Sequence, residues 1–160
     1  MLQILILACG NPLRGDDGVA WRAAEELSGR FAASEVEVVS THQLTPEMAE
    51  KVAWADAVVF LDAAADGQPG EVRCNALVEP FGEVRFSHQL SPVAILALAK
   101  QLYGASPRAY CVTLAGQCFD HGDTLSSSVQ RALPRFVAKV DALVQELLSL
   151  ETVSSVPSKT

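Results

Sequence analysis

The chain has 160 residues, 49% of them hydrophobic, and a net charge of −7 from 12 basic against 19 acidic side chains. That apolar share excludes disorder for the body of the chain, and the length suits one domain with a substantial core. The acidic balance disfavours nucleic-acid backbones, no apolar run reaches the ~18–20 residues of a membrane span, and no basic-flanked secretory signal opens the chain, so the expected location is the cytoplasm.

In chain order, residues 2–8 are apolar but for Gln3, the pattern of a strand buried on both faces. The loop Gly10-Asn11-Pro12-Leu13-Arg14-Gly15-Asp16-Asp17-Gly18 follows. Val19, Ala20, Ala23, Ala24, Leu27 and Phe31 then recur at helical spacing, which predicts a first helix over about 17–31, with Asp16 or Asp17 able to cap it. Residues 35–39 alternate as a second strand. Thr45-Pro46 is a helix-start signal, predicting a short helix through Ala53. Residues 57–61 form a third buried strand, ending at Asp62. The turn residues 66–70 lead into a fourth strand over 71–77, and that connection is too short for a helical crossover. The fourth strand must then run antiparallel to the third if it pairs with it. Ser91-Pro92 opens a helix that ends near Tyr103, before Gly104. Residues 109–114 are the fifth strand. A last helix carries Leu133, Phe136, Val137, Val140, Leu143, Val144 and Leu147 on one face, with Pro134 either kinking it or marking a fresh start. The reading gives one domain over 1–150 and a polar, frayed tail over 151–160.

The fold class is α/β: a three-layer α/β/α sandwich on a mostly parallel sheet. Sites in such folds gather outside the carboxyl ends of the strands. Adjacent carboxylates at Asp16 and Asp17 repel each other and persist where a cation or helix-end N–H groups hold them. Asp17 and Asp62 emerge on one sheet edge if the first and third strands are neighbours, and His88 can close the group from a loop. Two carboxylates and an imidazole make a hard-to-borderline donor set, suited to a divalent metal with open positions. Each member also has a plainer reading: Asp17 as a helix cap, Asp62 as a strand-end turn residue, His88 as a surface or capping histidine. His42 follows the second strand at the same rim and is a candidate to line the site. Asp120-His121-Gly122-Asp123 looks metal-like but reads better as a turn into the last helix. Cys9, Cys74, Cys111 and Cys118 lack zinc-site spacing and are expected to be reduced thiols. Cys9 abuts the aspartate loop and is read as core packing. Four residues separate Gly10 from Gly15, which matches neither the dinucleotide fingerprint nor the P-loop.

Residues 10–18 resemble the N-terminal signature of the hydrogenase maturation endopeptidases. The similarity continues through Asp62 closing an apolar strand and Ser87-His88-Gln89-Leu90 before a helix, and spans about residues 3–148. The resemblance implies a twisted five-stranded sheet with one antiparallel strand. It also implies a metal-dependent endopeptidase that trims the C-terminal extension of a nickel-loaded nickel–iron hydrogenase large-subunit precursor. The family's metal-contacting positions fall on Asp17, Asp62 and His88, and Asp16 matches the other acidic position. On this basis Asp16 or Asp17 orients the attacking water, and the nickel is that of the substrate, another divalent metal being the alternative. Where many members carry a glycine-rich stretch after the second strand, this chain has Ser40-Thr41-His42-Gln43-Leu44-Thr45-Pro46-Glu47. That version looks like the branch serving bidirectional, NAD-linked hydrogenases. Ala20 stands where many members have glycine. The rival function is a non-enzymatic nickel-sensing chaperone using the same ligands.

Overall fold

The computed structural model describes residues 2–79 and 90–154. Five strands form one sheet: β1 (Ile4–Cys9), β2 (Val36–Thr41), β3 (Ala57–Ala64), β4 (Val72–Leu77) and β5 (Arg108–Ala115). Their order is β2-β1-β3-β5-β4, with β4 alone antiparallel, at the edge beside β5. The short connection after β3 thus leads not to a β3–β4 hairpin but past β5, which inserts between the two.

Successive strand residues face opposite sides, and both sides are covered. Ile4, Ile6, Ala8, Val59, Leu61, Val112 and Leu114 pack on α1 (Val19–Leu27) and α4 (Ser127–Ser154). Leu5, Leu7, Val58, Phe60 and Ala109 pack on α2 (Met48–Trp54) and α3 (Pro92–Tyr103). This two-sided burial is why β1 and β3 read as continuous apolar runs. Among the described residues, no helix is long and apolar enough to cross a membrane.

Three boundaries depart from the pattern reading. The expected first helix is split. Gly15–Gly18 forms a tight 3-10 turn, and α1 proper ends at Leu27, so Phe31 packs against the core from outside the helix. Neither aspartate caps it, because Gly18 is the N-cap residue and no side-chain cap bond forms. Helix α2 begins three residues after Thr45, since the Met48 and Ala49 N–H groups close a turn onto the Thr45 and Pro46 carbonyls first. Strand β3 continues through Asp62 to Ala64, so Asp62 is a strand residue rather than a strand-end one. By contrast α3 has the boundaries its signals give: the Ser91 side chain accepts from the Ala94 N–H, and Gly104 closes the helix at φ 65°. Helix α4 carries Pro134 inside one continuous span and extends past Glu151 to Ser154, while residues 155–160 lie outside the described set.

Phe136 of α4 is fully buried against the sheet. Phe136→Ala is expected to cost about 3–5 kcal/mol, because the vacated ring volume is not refilled. Urea unfolding midpoints of the two proteins measure that cost.

Candidate functional site

Strands β1, β3 and β5 are parallel neighbours, so the loops that leave them lie along one edge of the sheet. The register pairs Cys9 with Thr41 of β2, and Asp62 with Thr113 of β5, while Ala8 pairs with Leu61. Cys9 and Asp62 are therefore adjacent across the β1–β3 seam. Asp62 stands on the same face as Phe60 two residues earlier, the face that packs on α2 and α3.

The aspartate loop folds on itself before it reaches α1. The Asn11 side chain accepts from the Leu13 N–H (2.9 Å), and the Asn11 carbonyl accepts from the Arg14 N–H (3.0 Å). The Asn11 N–H in turn donates to Asp17 Oδ2 at 2.7 Å. Gly10 permits that return: its φ is +151°, and a Cβ there would lie 2.1 Å from the Asp17 carbonyl oxygen. Asp17 is thereby fixed by one backbone donor, and its Oδ1 carries no hydrogen bond among the described residues.

The neighbouring Asp16 is spent differently. It is fully buried, and its carboxylate accepts from the Gln117 N–H (2.7 Å), the Cys118 N–H (2.9 Å), the Ser126 N–H (2.7 Å) and the Ser126 hydroxyl (2.8 Å). Its own N–H donates to the Cys118 carbonyl at 2.9 Å. Residues 13–15 and 122 add a further clasp, Gly15 N–H to the Gly122 carbonyl and Gly122 N–H to the Leu13 carbonyl, both 2.8 Å. The loop after β5 is thus bound to the loop after β1. Of residues 120–123, Gly122 makes that clasp, and among the described residues no cluster of three or more His, Cys, Asp or Glu is placed to hold a metal ion.

The electrostatics separate the two kinds of carboxylate. Burial alone pushes the Asp16 carboxyl up, but the N–H donors of Cys118, Gln117 and Ser126, with the Ser126 hydroxyl, outweigh it and hold the group below the usual carboxylate range. Asp62 goes the other way, to about 7: burial raises it, one N–H from Ala63 at 2.8 Å partly offsets that, and the charge of Asp17 raises it further. Cys9 is pushed up to about 12 by burial and by the charges of Asp62 and Asp17. Cys111 is pushed up to about 11 by burial, then by Asp62 and Cys74. Asp17, Asp62, Cys9 and Cys111 therefore form one electrostatic neighbourhood, and all four cysteines of the chain are free thiols. Cys9 is half-buried and packs against the α2–α3 side of the core, as expected, while also bordering this site.

His88 lies outside the described residues. His42 sits exposed at the rim. Its ring stands edge-on to Trp21 (5.2 Å between centroids, 70° between planes), while the Trp21 indole donates to the Thr41 carbonyl at 3.1 Å. The partners of Asp16 were not singled out in the sequence. Two of them, Gln117 and Cys118, act through backbone N–H groups, which leave no residue signature; Ser126 alone contributes a side chain.

No family model matches the chain, and no curated protein matches it. Solved structures do. A hydrogenase maturating endopeptidase, HybD from E. coli, superposes with a TM-score of 0.72 at 22% identity, covering 91% of this chain and 93% of that one. The [NiFe] hydrogenase maturation protease HybD from Thermococcus kodakarensis gives 0.70 at 23%, covering 89% and 99%. The maturation protease HycI from Thermococcus kodakarensis KOD1 gives 0.71 at 21%, covering 89% and 92%. The chain is thus an α/β/α sandwich with a carboxylate pair at the carboxyl edge of a mostly parallel sheet. More particularly, it has the fold of the hydrogenase maturation endopeptidases.

The two carboxylates carry opposite pH signatures. Asp16, with its folded pKa depressed, contributes stability that is present above the unfolded value of about 3.9 and is lost as pH falls through the folded one. Asp62, with its folded pKa raised, loses stability as pH climbs from about 4 to about 7. Asp16→Asn is expected to cost about 3 kcal/mol at pH 7, since one amide oxygen cannot serve the donors and the amide NH2 opposes them. That cost shrinks below pH 4. Asp62→Asn is expected to be more stable than the wild type at pH 8, with the gap closing by pH 4. Thermal melts across that range read both slopes.

Proposed function

We propose that this chain is an endopeptidase that removes the C-terminal extension of a nickel-loaded nickel–iron hydrogenase large-subunit precursor. The observation that carries the proposal is the Asp17–Asp62 pair. It stands at the carboxyl edge of a fold shared, over nine-tenths of both chains, with a maturating endopeptidase. Oxygen donors at Asp17 and Asp62 fit a divalent cation with vacant positions. With His88 as the third ligand, they would engage the nickel of the substrate. A cation held there supplies polarisation of the scissile carbonyl or a lowered water pKa.

The protein's own groups divide the remaining work. Asp17, with Oδ1 open, is the carboxylate assigned to orient the attacking water. Asp62 binds or releases a proton near neutrality, so engaging a cation expels that proton and couples recognition to the metal's arrival. Asp16, buried and saturated with donors, is removed from the chemistry and becomes the anchor of the loop that bears Asp17. His42, on the rim, is a contact for the incoming precursor. The net charge of −7 is consistent with a protein partner rather than nucleic acid.

The test is mass spectrometry of a nickel-loaded large-subunit precursor before and after incubation with this protein. Loss of the C-terminal extension is the expected result. A precursor of unchanged mass that nevertheless binds the protein would mark it as a nickel-sensing chaperone and overturn the protease. Asp17→Ala, Asp62→Ala and His88→Ala are each expected to abolish cleavage, at least a thousandfold, while far-ultraviolet circular dichroism stays native.

A further inference from the structure

Asn11 carries a backbone N–H, a backbone carbonyl, a side-chain oxygen and a side-chain NH2. All but the last are committed. The N–H donates to Asp17 Oδ2 at 2.7 Å, the carbonyl accepts from the Arg14 N–H at 3.0 Å, and Oδ1 accepts from the Leu13 N–H at 2.9 Å. Nδ2 has no hydrogen-bond partner among the described residues. It is not sealed in either. Asn11 is half-buried, and among the described residues no buried side-chain nitrogen or oxygen lacks a partner, so Nδ2 reaches solvent. The same holds for Asp17, half-buried with its Oδ1 unpaired. A free donor and a free acceptor thus stand on two residues that are hydrogen-bonded to each other.

The donor is also held in one orientation. Only an oxygen can accept from the Leu13 N–H, so turning the carboxamide over would break that bond. Pro12 follows Asn11, and its locked φ stiffens the loop. A donor fixed in advance needs no reorganisation when negative charge develops before it, which is what makes such groups effective. At most about 5 Å separates the backbone and side-chain nitrogens of one asparagine. The carboxamide therefore stands no further from the Asp17 carboxylate than one water and one peptide carbonyl can reach.

We propose that Asn11 is a further catalytic residue, whose Nδ2–H receives the carbonyl oxygen of the peptide bond being cut and the oxyanion which that oxygen becomes. The role rests on the endopeptidase reading above. Water held by Asp17 Oδ1 attacks the carbonyl carbon. A carbon–oxygen bond forms, the C=O π pair moves onto the oxygen facing Asn11, and the water's proton passes to Asp17. The C=O bond then re-forms, the carbon–nitrogen bond breaks, and that proton goes to the departing nitrogen. Charge on the oxygen peaks between the two steps, so the bond from Nδ2 is stronger there than to the uncut carbonyl.

Two variants separate the donor from the loop that carries it. Asn11→Asp keeps an oxygen for the Leu13 N–H and removes the donor. Asn11→Ser removes the donor without adding charge and keeps a shorter oxygen acceptor. With the nickel-loaded precursor as substrate, each is expected to lower kcat by about a hundredfold or more and to leave KM within about threefold. Circular dichroism of both is expected to stay native. The residual cleavage by Asn11→Ser is expected to keep the wild-type pH profile, because Asp17 and Asp62 remain in place. A wild-type kcat in either variant overturns the role of Asn11 and leaves the endopeptidase standing. So does a loss carried by KM alone, or a loss of kcat with a displaced pH profile, which marks a loop that has moved. A wild-type protein that leaves the precursor uncut overturns the endopeptidase reading, and this role with it.

Discussion

The carboxylate of Asp16, sealed from water and receiving hydrogen bonds from three backbone N–H groups and one hydroxyl, is the constraint on which the candidate site depends. Each donor belongs to the segment between β5 and α4. The anchor joins chain segments more than a hundred residues apart. It settles where the 3-10 turn lies, and that turn carries Asp17. A charge that can never reach solvent or substrate thus fixes the position of one that can.

The remaining geometry follows from strand register. Asp62 belongs to β3 itself, two residues from its end, so its position is set by the hydrogen-bonded ladder with β5. A side chain held on a strand is placed more accurately than one on a loop. Burial, and to a lesser degree the charge of Asp17, push the Asp62 carboxyl up to about 7.

The parts legible in the sequence were those with local causes. Apolar runs marked β1 and β3 because both faces of those strands are covered, and Ser91 and Gly104 marked α3 because capping is a matter of adjacent residues. The α/β/α class followed from such signals, whereas the single antiparallel strand was implied by the resemblance, the short connection after β3 having argued only for a pairing with β3 that β5 takes instead. Errors arose where distant partners decide. Phe31 fits helical spacing, but the chain leaves α1 at Leu27 and returns that ring to the core from a loop. Thr45-Pro46 announces a helix, yet a turn intervenes before Met48. Asp16 and Asp17 look equivalent in sequence. The backbone N–H groups of Gln117, Cys118 and Ser126, which carry no residue identity, separate the anchor from its neighbour together with the Ser126 hydroxyl.

Cys9 illustrates what this electrostatic setting does to a bystander. With its thiol pushed up to about 12 by burial and by the charges of Asp62 and Asp17, it stays protonated at pH 7. Peroxides and alkylating agents attack the thiolate form, so this sulfur is shielded from oxidative damage although it borders an open rim.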